Sequence, residues 1–448
     1  MTYSSPFVQR CVRIFRYSLI SLPYLSYVAF PGLLYVMGAL YRRYPTTALD
    51  RVTRFGLMAI AGLMLLSSAF AYARGEALLQ LANFLPFFAL FAIIPFVLAT
   101  AVQLEQLALG LVIASIPLNG FAIVQFVLKL GLRQRWLPRD FRQSPVGEWA
   151  RSLPHQNRAS SIFDHPNVFA SYLVLVLGLG LGLWLYRLMA PTNNPSEDLS
   201  SDVSKLALRI QRWQYRLLPL ALGLIGVGLY TAGSRNGIGA AVLQCLIFSG
   251  FMLRKRSDRR LVYACLFGLG VLLACIVSVG LAGRVVSVEG VENDPRLEVW
   301  AIAFDLFQQR PWLGWGLGSY AELYPTLTTN TQYDYISHTH NLWLLLTTET
   351  GIFVVIGLTL VIGRIYFHSV LTFIQKAFTP SSALMLGYLL AFGGAIAFAL
   401  FDVTFYDARI NMINWSILGA LFAQTPLFQG CDRPNVVTSG QDYGSSAS

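Results

Sequence analysis

Apolar runs of about 20 residues recur along this 448-residue chain, and a helix of about that length crosses a bilayer. This repetition constrains the fold more than any motif does. Spans are predicted near 17–40, 55–73, 77–101, 105–129, 166–188, 215–232, 237–253, 261–282, 341–363, 382–401 and 411–427. Composition agrees, since 12% of residues are charged against about 25% in soluble domains. The expected fold class is an all-α polytopic membrane protein with about 11–12 transmembrane helices. The run from Tyr17 to Tyr41 exceeds a signal-peptide core and lacks a cleavage site, so it reads as retained.

Two polar segments interrupt the spans, 131–165 and 283–340. They divide the chain into N-terminal helices over 1–130 and central helices over 131–282, the latter with an outer loop at 131–165. A large outer loop with short amphipathic helices follows at 283–340, then C-terminal helices over 341–427. A Gly- and Ser-rich tail at 428–448 reads as disordered. The loop around Arg254 to Arg260 is expected on the cytoplasmic side, as are the 42–54 loop and the 187–216 segment. Alternate counting then places both long polar segments outside. The 131–165 segment breaks the positive-inside rule there, because it carries Arg133, Arg135, Arg139, Arg142, Arg151 and Arg158. Arginine on the wrong side is a sign of retention for function. The N-terminal Arg10, Arg13 and Arg16 also conflict, unless a short hairpin or half-span lies near 20–40. No inverted repeat of the secondary-transporter kind is visible.

The net charge of +11 is nearly all arginine and lies between spans, which excludes a nucleic-acid domain. Anionic head groups account for part of it, and an anionic substrate is a second source. The five cysteines are scattered with no C-x-x-C and read as small core residues.

Four segments hold candidate chemistry. Ser337-His338-Thr339-His340-Asn341 closes the large loop, in a chain with only five histidines. Neutral imidazole at a water–lipid boundary removes protons near pH 7. The pair reads as structural, as a base or as metal ligands, although no carboxylate or cysteine completes a recognisable metal set in sequence. Asp294 and Pro295 are suited to start an amphipathic helix that ends before Pro311. Arg296 falls in its first turn, where free N–H groups and the guanidinium fork suit phosphate; contact with lipid head groups is the plainer reading. Gly233-Ser234-Arg235-Asn236-Gly237 is a tight turn whose arginine either snorkels or binds an anion. Arg158 precedes Phe163-Asp164-His165-Pro166-Asn167, where Pro166-Asn167 marks a helix start. Together these arginines and a histidine make a cationic pocket suited to a lipid diphosphate, whose departure preorganised cations accelerate.

These residues resemble the O-antigen ligase and O-antigen polymerase superfamily of bacterial membrane glycosyltransferases, from about Arg158 to Gln424. The resemblance rests on the Arg158–Asn167 segment, Gly233-Ser234-Arg235, Arg296-Leu297-Glu298-Val299-Trp300 with Pro311-Trp312-Leu313-Gly314-Trp315-Gly316, and His340-Asn341 with Glu349-Thr350-Gly351. It implies inverting, metal-independent glycan transfer from an undecaprenyl-diphosphate carrier to a hydroxyl on lipid A–core, glycan or protein. The enzyme would lie in the inner membrane with its site facing the periplasm and need no cofactor. The implied base is His340, with His338 the alternative. Arg235 and Arg296 would hold the diphosphate, Arg158 more weakly. Phe401-Asp402 through Arg409 also resembles a cyanobacterial bicarbonate-transporter branch. A polysaccharide polymerase and a small-anion transporter are therefore the alternative functions. Retention of His340-Asn341 and spans poor in charge favour glycan transfer.

Overall fold

The computed structural model describes residues 5–44, 48–155, 158–189, 202–254, 259–279, 296–329 and 335–428. Asp294, Pro295, the 255–258 turn, Cys431 and the tail from 429 lie outside the described residues. Among the described residues every element is helical. Among the described residues, eight helical segments are long and apolar enough to cross a membrane: 51–69, 74–96, 101–133, 166–189, 210–232, 235–254, 352–375 and 380–399. The chain is an all-α polytopic membrane protein.

Local chemistry explains where the observed helices depart from the expected spans. The first run divides into α1 (Pro6–Ser21) and α2 (Ser26–Arg43), which pack together as a hairpin. Pro23 sits in the turn between them and has no N–H to continue a helix. The run near 77–101 divides into α3 (Arg74–Gln80) and α4 (Leu85–Ile93), with short 3-10 turns after each. Pro86 and Pro95 remove donors there. One carbonyl at the break, that of Asn83, accepts instead from Asn411 Nδ2 at 2.8 Å.

The centre of the bundle is α5 (Pro166–Met189) against α6 (Pro380–Ala399). Their best membrane windows are 89% and 83% buried. Small residues permit this crossing: a Cβ on Gly182 would lie 2.4 Å from the Gly387 Cα. Lipid supplies no hydrophobic drive between helices, so such close backbone packing does the joining. Around this pair lie α7 (Ala101–Arg133), α8 (Asp202–Ala232) and α9 (Arg235–Arg254).

Among the described residues, two buried charges lie within these eight segments, Glu105 and Lys129. Glu105 accepts from Tyr186 Oη (3.1 Å), Gln211 Nε2 (2.7 Å) and Tyr215 Oη (2.5 Å). Lys129 Nζ donates to the carbonyls of Pro154 (2.7 Å), Arg158 (2.8 Å) and His155 (3.3 Å). Both groups therefore have the partners that burial demands.

The large loop is built as a platform. Its helices α10 (Arg296–Gln309) and α11 (Ser319–Leu327) pack on α12 (Leu342–Thr350). As the sequence predicts, α10 ends before Pro311. The Pro311–Gly316 stretch then clasps the end of α12. Trp315 N–H donates to Thr348 O (3.1 Å), Gly316 N–H to Glu349 O (2.7 Å) and Ile352 N–H to Pro311 O (3.0 Å). Gly351, at φ +78°, makes the turn into α13 (Ile352–Gln375), and a Cβ there would sit 2.1 Å from Trp312 O. Only glycine fits both that φ and that approach. The clasp sets the position of the residues just before α12.

Candidate active site

Those residues are His338 to Asn341. Asn341 caps α12, its Oδ1 accepting from Leu344 N–H at 2.9 Å. Thr339 is buried. Its hydroxyl donates to Asn341 O (2.7 Å), and its carbonyl accepts from Trp300 Nε1 (2.8 Å), tying the segment to α10. Pinned on both sides, His340 adopts φ +52°. That region is costly for a side chain with a Cβ and persists only where the surroundings enforce it. His340 N–H donates to His338 Nδ1 at 3.3 Å, and the two rings meet edge to face at 4.4 Å.

The partner of His340 is Asp402, in the turn that follows α6. Its Oδ1 lies 3.6 Å from His340 Nδ1, and the carboxylate is buried. Among the described residues His340 Nδ1 is buried without a hydrogen-bond partner, and Asp402 lies just beyond that distance. Val403 N–H donates to Asp402 Oδ1 at 2.8 Å. Asn167 Nδ2 donates to Oδ2, and Arg158 Nη2 donates to Asn167 Oδ1. Arg158 Nε donates to Ala232 O at 2.7 Å. A line of contacts therefore runs from the end of α8 through Arg158, Asn167 and Asp402 to His340.

The electrostatics follow from this arrangement. Burial would raise the Asp402 carboxyl, but His340, His338 and the Val403 N–H outweigh it and hold it well below the usual carboxylate range. Burial, with His340 and Arg296 nearby, pushes His338 down to about 4 against the pull of Asp402. Burial, with His155 and Arg158 nearby, pushes His165 down to about 4 as well. Both rings are neutral at pH 7.

The structure gathers the predicted residues at one end of the bundle. Arg296 opens α10, close enough for its charge to act on His338. Arg235 is the exposed first residue of α9. Its neighbour Asn236 donates from Nδ2 to Phe401 O at 2.9 Å, placing that turn beside Asp402. Arg158 has a placement the sequence did not foresee, since its guanidinium braces Asn167. Sequence reasoning missed Asp402 and His165 as site residues and read Asn167 as a helix start. Asp402 was visible only within the Phe401–Arg409 resemblance, and nothing local linked it to a histidine. Asp402 also supplies a carboxylate for the histidine pair. The donor atoms of His338, His340 and Asp402 lie within 4.8 Å of one another, and three such ligands are the number that an open catalytic metal site uses.

The arrangement defines a class: a polytopic membrane protein with a histidine–carboxylate pair among arginines at one end of its helices. Residues 220–359 match the family model described as O-antigen ligase, which supports the O-antigen ligase superfamily that the motifs resemble. The matched stretch contains Arg235, Arg296, His338 and His340, while Arg158, Asn167 and Asp402 lie beyond it. No curated protein matches the chain. At family level the match supports O-antigen ligase-type glycan transfer by a multi-pass membrane protein.

Proposed function

We propose that the protein transfers a glycan from an undecaprenyl-diphosphate carrier to a hydroxyl acceptor, at the periplasmic face of the inner membrane. The observation that carries this reading is the approach of His340 Nδ1 to the buried Asp402, on the bundle end that holds Arg235 and Arg296. With Nδ1–H directed at Asp402, Nε2 is the unprotonated nitrogen. It takes the acceptor hydroxyl proton while the oxygen attacks the anomeric carbon. The bond from that carbon to the diphosphate oxygen breaks with inversion. Arg235 and Arg296 neutralise the departing diphosphate, with Arg158 behind them. His340 then passes its proton to water or to the diphosphate. His338 is less suited to the role, because its Nδ1 already accepts the His340 N–H.

This reaction needs no metal. The three donors His338, His340 and Asp402 give a metal-assisted variant a specific site to be tested at. A transport path would call for polar groups in mid-span that are open to a permeant ion. Glu105 and Lys129 instead have their hydrogen bonds made within the protein.

The test is the surface-glycan profile of a deletion host that carries wild type or His340→Ala. Wild type should restore long glycan, and His340→Ala should not, although it reaches the membrane folded. Bare core with accumulated lipid-linked glycan identifies a ligase, and core with one repeat identifies a polymerase. An unchanged profile in the deletion itself would overturn the reading.

A further inference from the structure

Apart from Arg158, the arginine-rich 131–165 segment, on the side where the positive-inside rule does not place it, has no part in the mechanism above. It includes α14 (Arg139–Gln143) and α15 (Pro145–Ser152), two short helices of which α15 packs on α7 and α14 packs on α15. The fold there is definite. Ser144 Oγ caps α15 by accepting from Gly147 N–H at 3.3 Å. A Cβ on Gly147 would lie 2.5 Å from Phe141 O, so the helices touch backbone to backbone. Trp149 packs on Phe121 of α7 with ring centroids 6.2 Å apart.

Between these helices and α7 lies a cavity of about 530 Å³, lined by Lys129, Arg133, Arg139, Arg142, Gln143 and Arg151 among others. Among the described residues no carboxylate lines it. Arg151 and Lys129 hold its walls: Arg151 donates to Gly147 O and Arg142 O, and Lys129 to the carbonyls of Pro154, His155 and Arg158. Arg142 differs, because its Nε is buried with no hydrogen-bond partner. A buried charged donor left so is costly. Cations facing one cavity also repel each other, and a bound anion relieves both costs. The volume exceeds that of a lone phosphate and falls in the range of small-molecule sites, about 300–1,000 Å³.

We propose that this cavity binds an anionic saccharide, a sugar bearing phosphate or carboxylate groups on one of the two glycan substrates. Its place supports this assignment. Lys129 donates to the carbonyl of Arg158, whose guanidinium reaches Asn167 and so the Asp402 carboxylate. The cavity and the proposed transfer site thus share the 158–167 segment. The assignment of the sugar to a substrate rests on the transferase reading; the binding itself does not.

The test uses the full chain in phosphatidylcholine nanodiscs, titrated calorimetrically with glucose 1,6-bisphosphate and with glucose as the neutral control. Wild type should bind the bisphosphate saturably and glucose not at all. Arg142→Gln should weaken binding about ten-fold or more, the loss of one charge-assisted hydrogen-bonding group. Arg139→Gln added to it should weaken binding further, and Arg142→Lys should fall between, with charge but no fork. Equal binding of glucose, unchanged binding in a double variant that melts like wild type, or loss of binding when phosphatidylglycerol is added would each overturn the assignment. The last result would make lipid head groups the occupant. In transfer assays the double variant should raise KM about ten-fold for one substrate with kcat held. The substrate affected, donor or acceptor, is the source of the anionic sugar, and no change for either would overturn the substrate role. His340→Ala should bind the bisphosphate like wild type without transferring. If wild type binds but does not transfer, the transferase reading fails alone. If it transfers without binding, the cavity assignment fails alone.

Discussion

Replacing Asp402 with asparagine tests whether a carboxylate governs the working histidine. The substitution preserves shape and removes the charge. At 3.6 Å and an effective dielectric of about 20, a carboxylate stabilises a facing imidazolium by roughly 4–5 kcal/mol. The His340 side chain is 27% exposed, and water screens part of this, leaving about 3–4 kcal/mol. A barrier raised by that much slows the reaction roughly 10²- to 10³-fold. Because the imidazolium forms only as the hydroxyl proton is taken, the loss should fall on kcat. The donor KM should stay within about three-fold. The assay is conversion of a purified lipid-linked glycan by the detergent-solubilised protein, read on gels across donor concentrations. A melting curve checks folding, since Asp402→Asn sets a new amide against Asn167. A kcat within about five-fold of wild type, in a variant that melts normally, would refute the His340–Asp402 pairing.

Arg235→Lys and Arg296→Lys should each reduce transfer about ten-fold or more, because lysine keeps the charge but cannot make the two-pronged contact; normal turnover in both would argue against diphosphate clamping. Prolonged EDTA treatment should leave transfer unchanged; abolition by EDTA with recovery on added zinc would assign His338, His340 and Asp402 to a metal instead. Stability should fall as pH drops from about 6.5 to about 4. His338 and His165 have ordinary values of 6.5 and are held near 4 in the fold, so the unfolded chain binds their protons first. Melting temperatures should be level above that window, and His338→Gln should flatten the decline. Asp402, held below its usual range, adds its own loss only at more acid pH, as its folded form protonates.

Much of the platform was legible in the sequence because it depends on local rules. Pro311 ends α10 where its missing N–H requires. Asn341 caps α12 because a short polar side chain suits that place. Gly351 lies where φ is positive. The proline breaks near 23 and 86 were equally local; the arginine conflict at the N-terminus pointed to a hairpin near 20–40, whereas a continuous apolar run concealed the break at 86. Hydropathy reports burial in lipid, not continuity of the backbone.

From the sequence alone come the membrane class, the recurrent spans, the long polar loop and the motifs containing Arg235, Arg296, His338 and His340. Each is carried by residues near one another in the chain, where hydropathy, helix capping and turn chemistry act. Tertiary structure alone decided what those residues meet. It set Asp402 against His340, turned Arg158 toward Asn167, and folded the 131–165 arginines around a cavity. The partners in the first contact come from segments distant in sequence, and Asn167 in turn reaches the distant Asp402. Asn167 meets Asp402 because α5 and α6 pack closely, through glycine, and bring the start of one beside the end of the other.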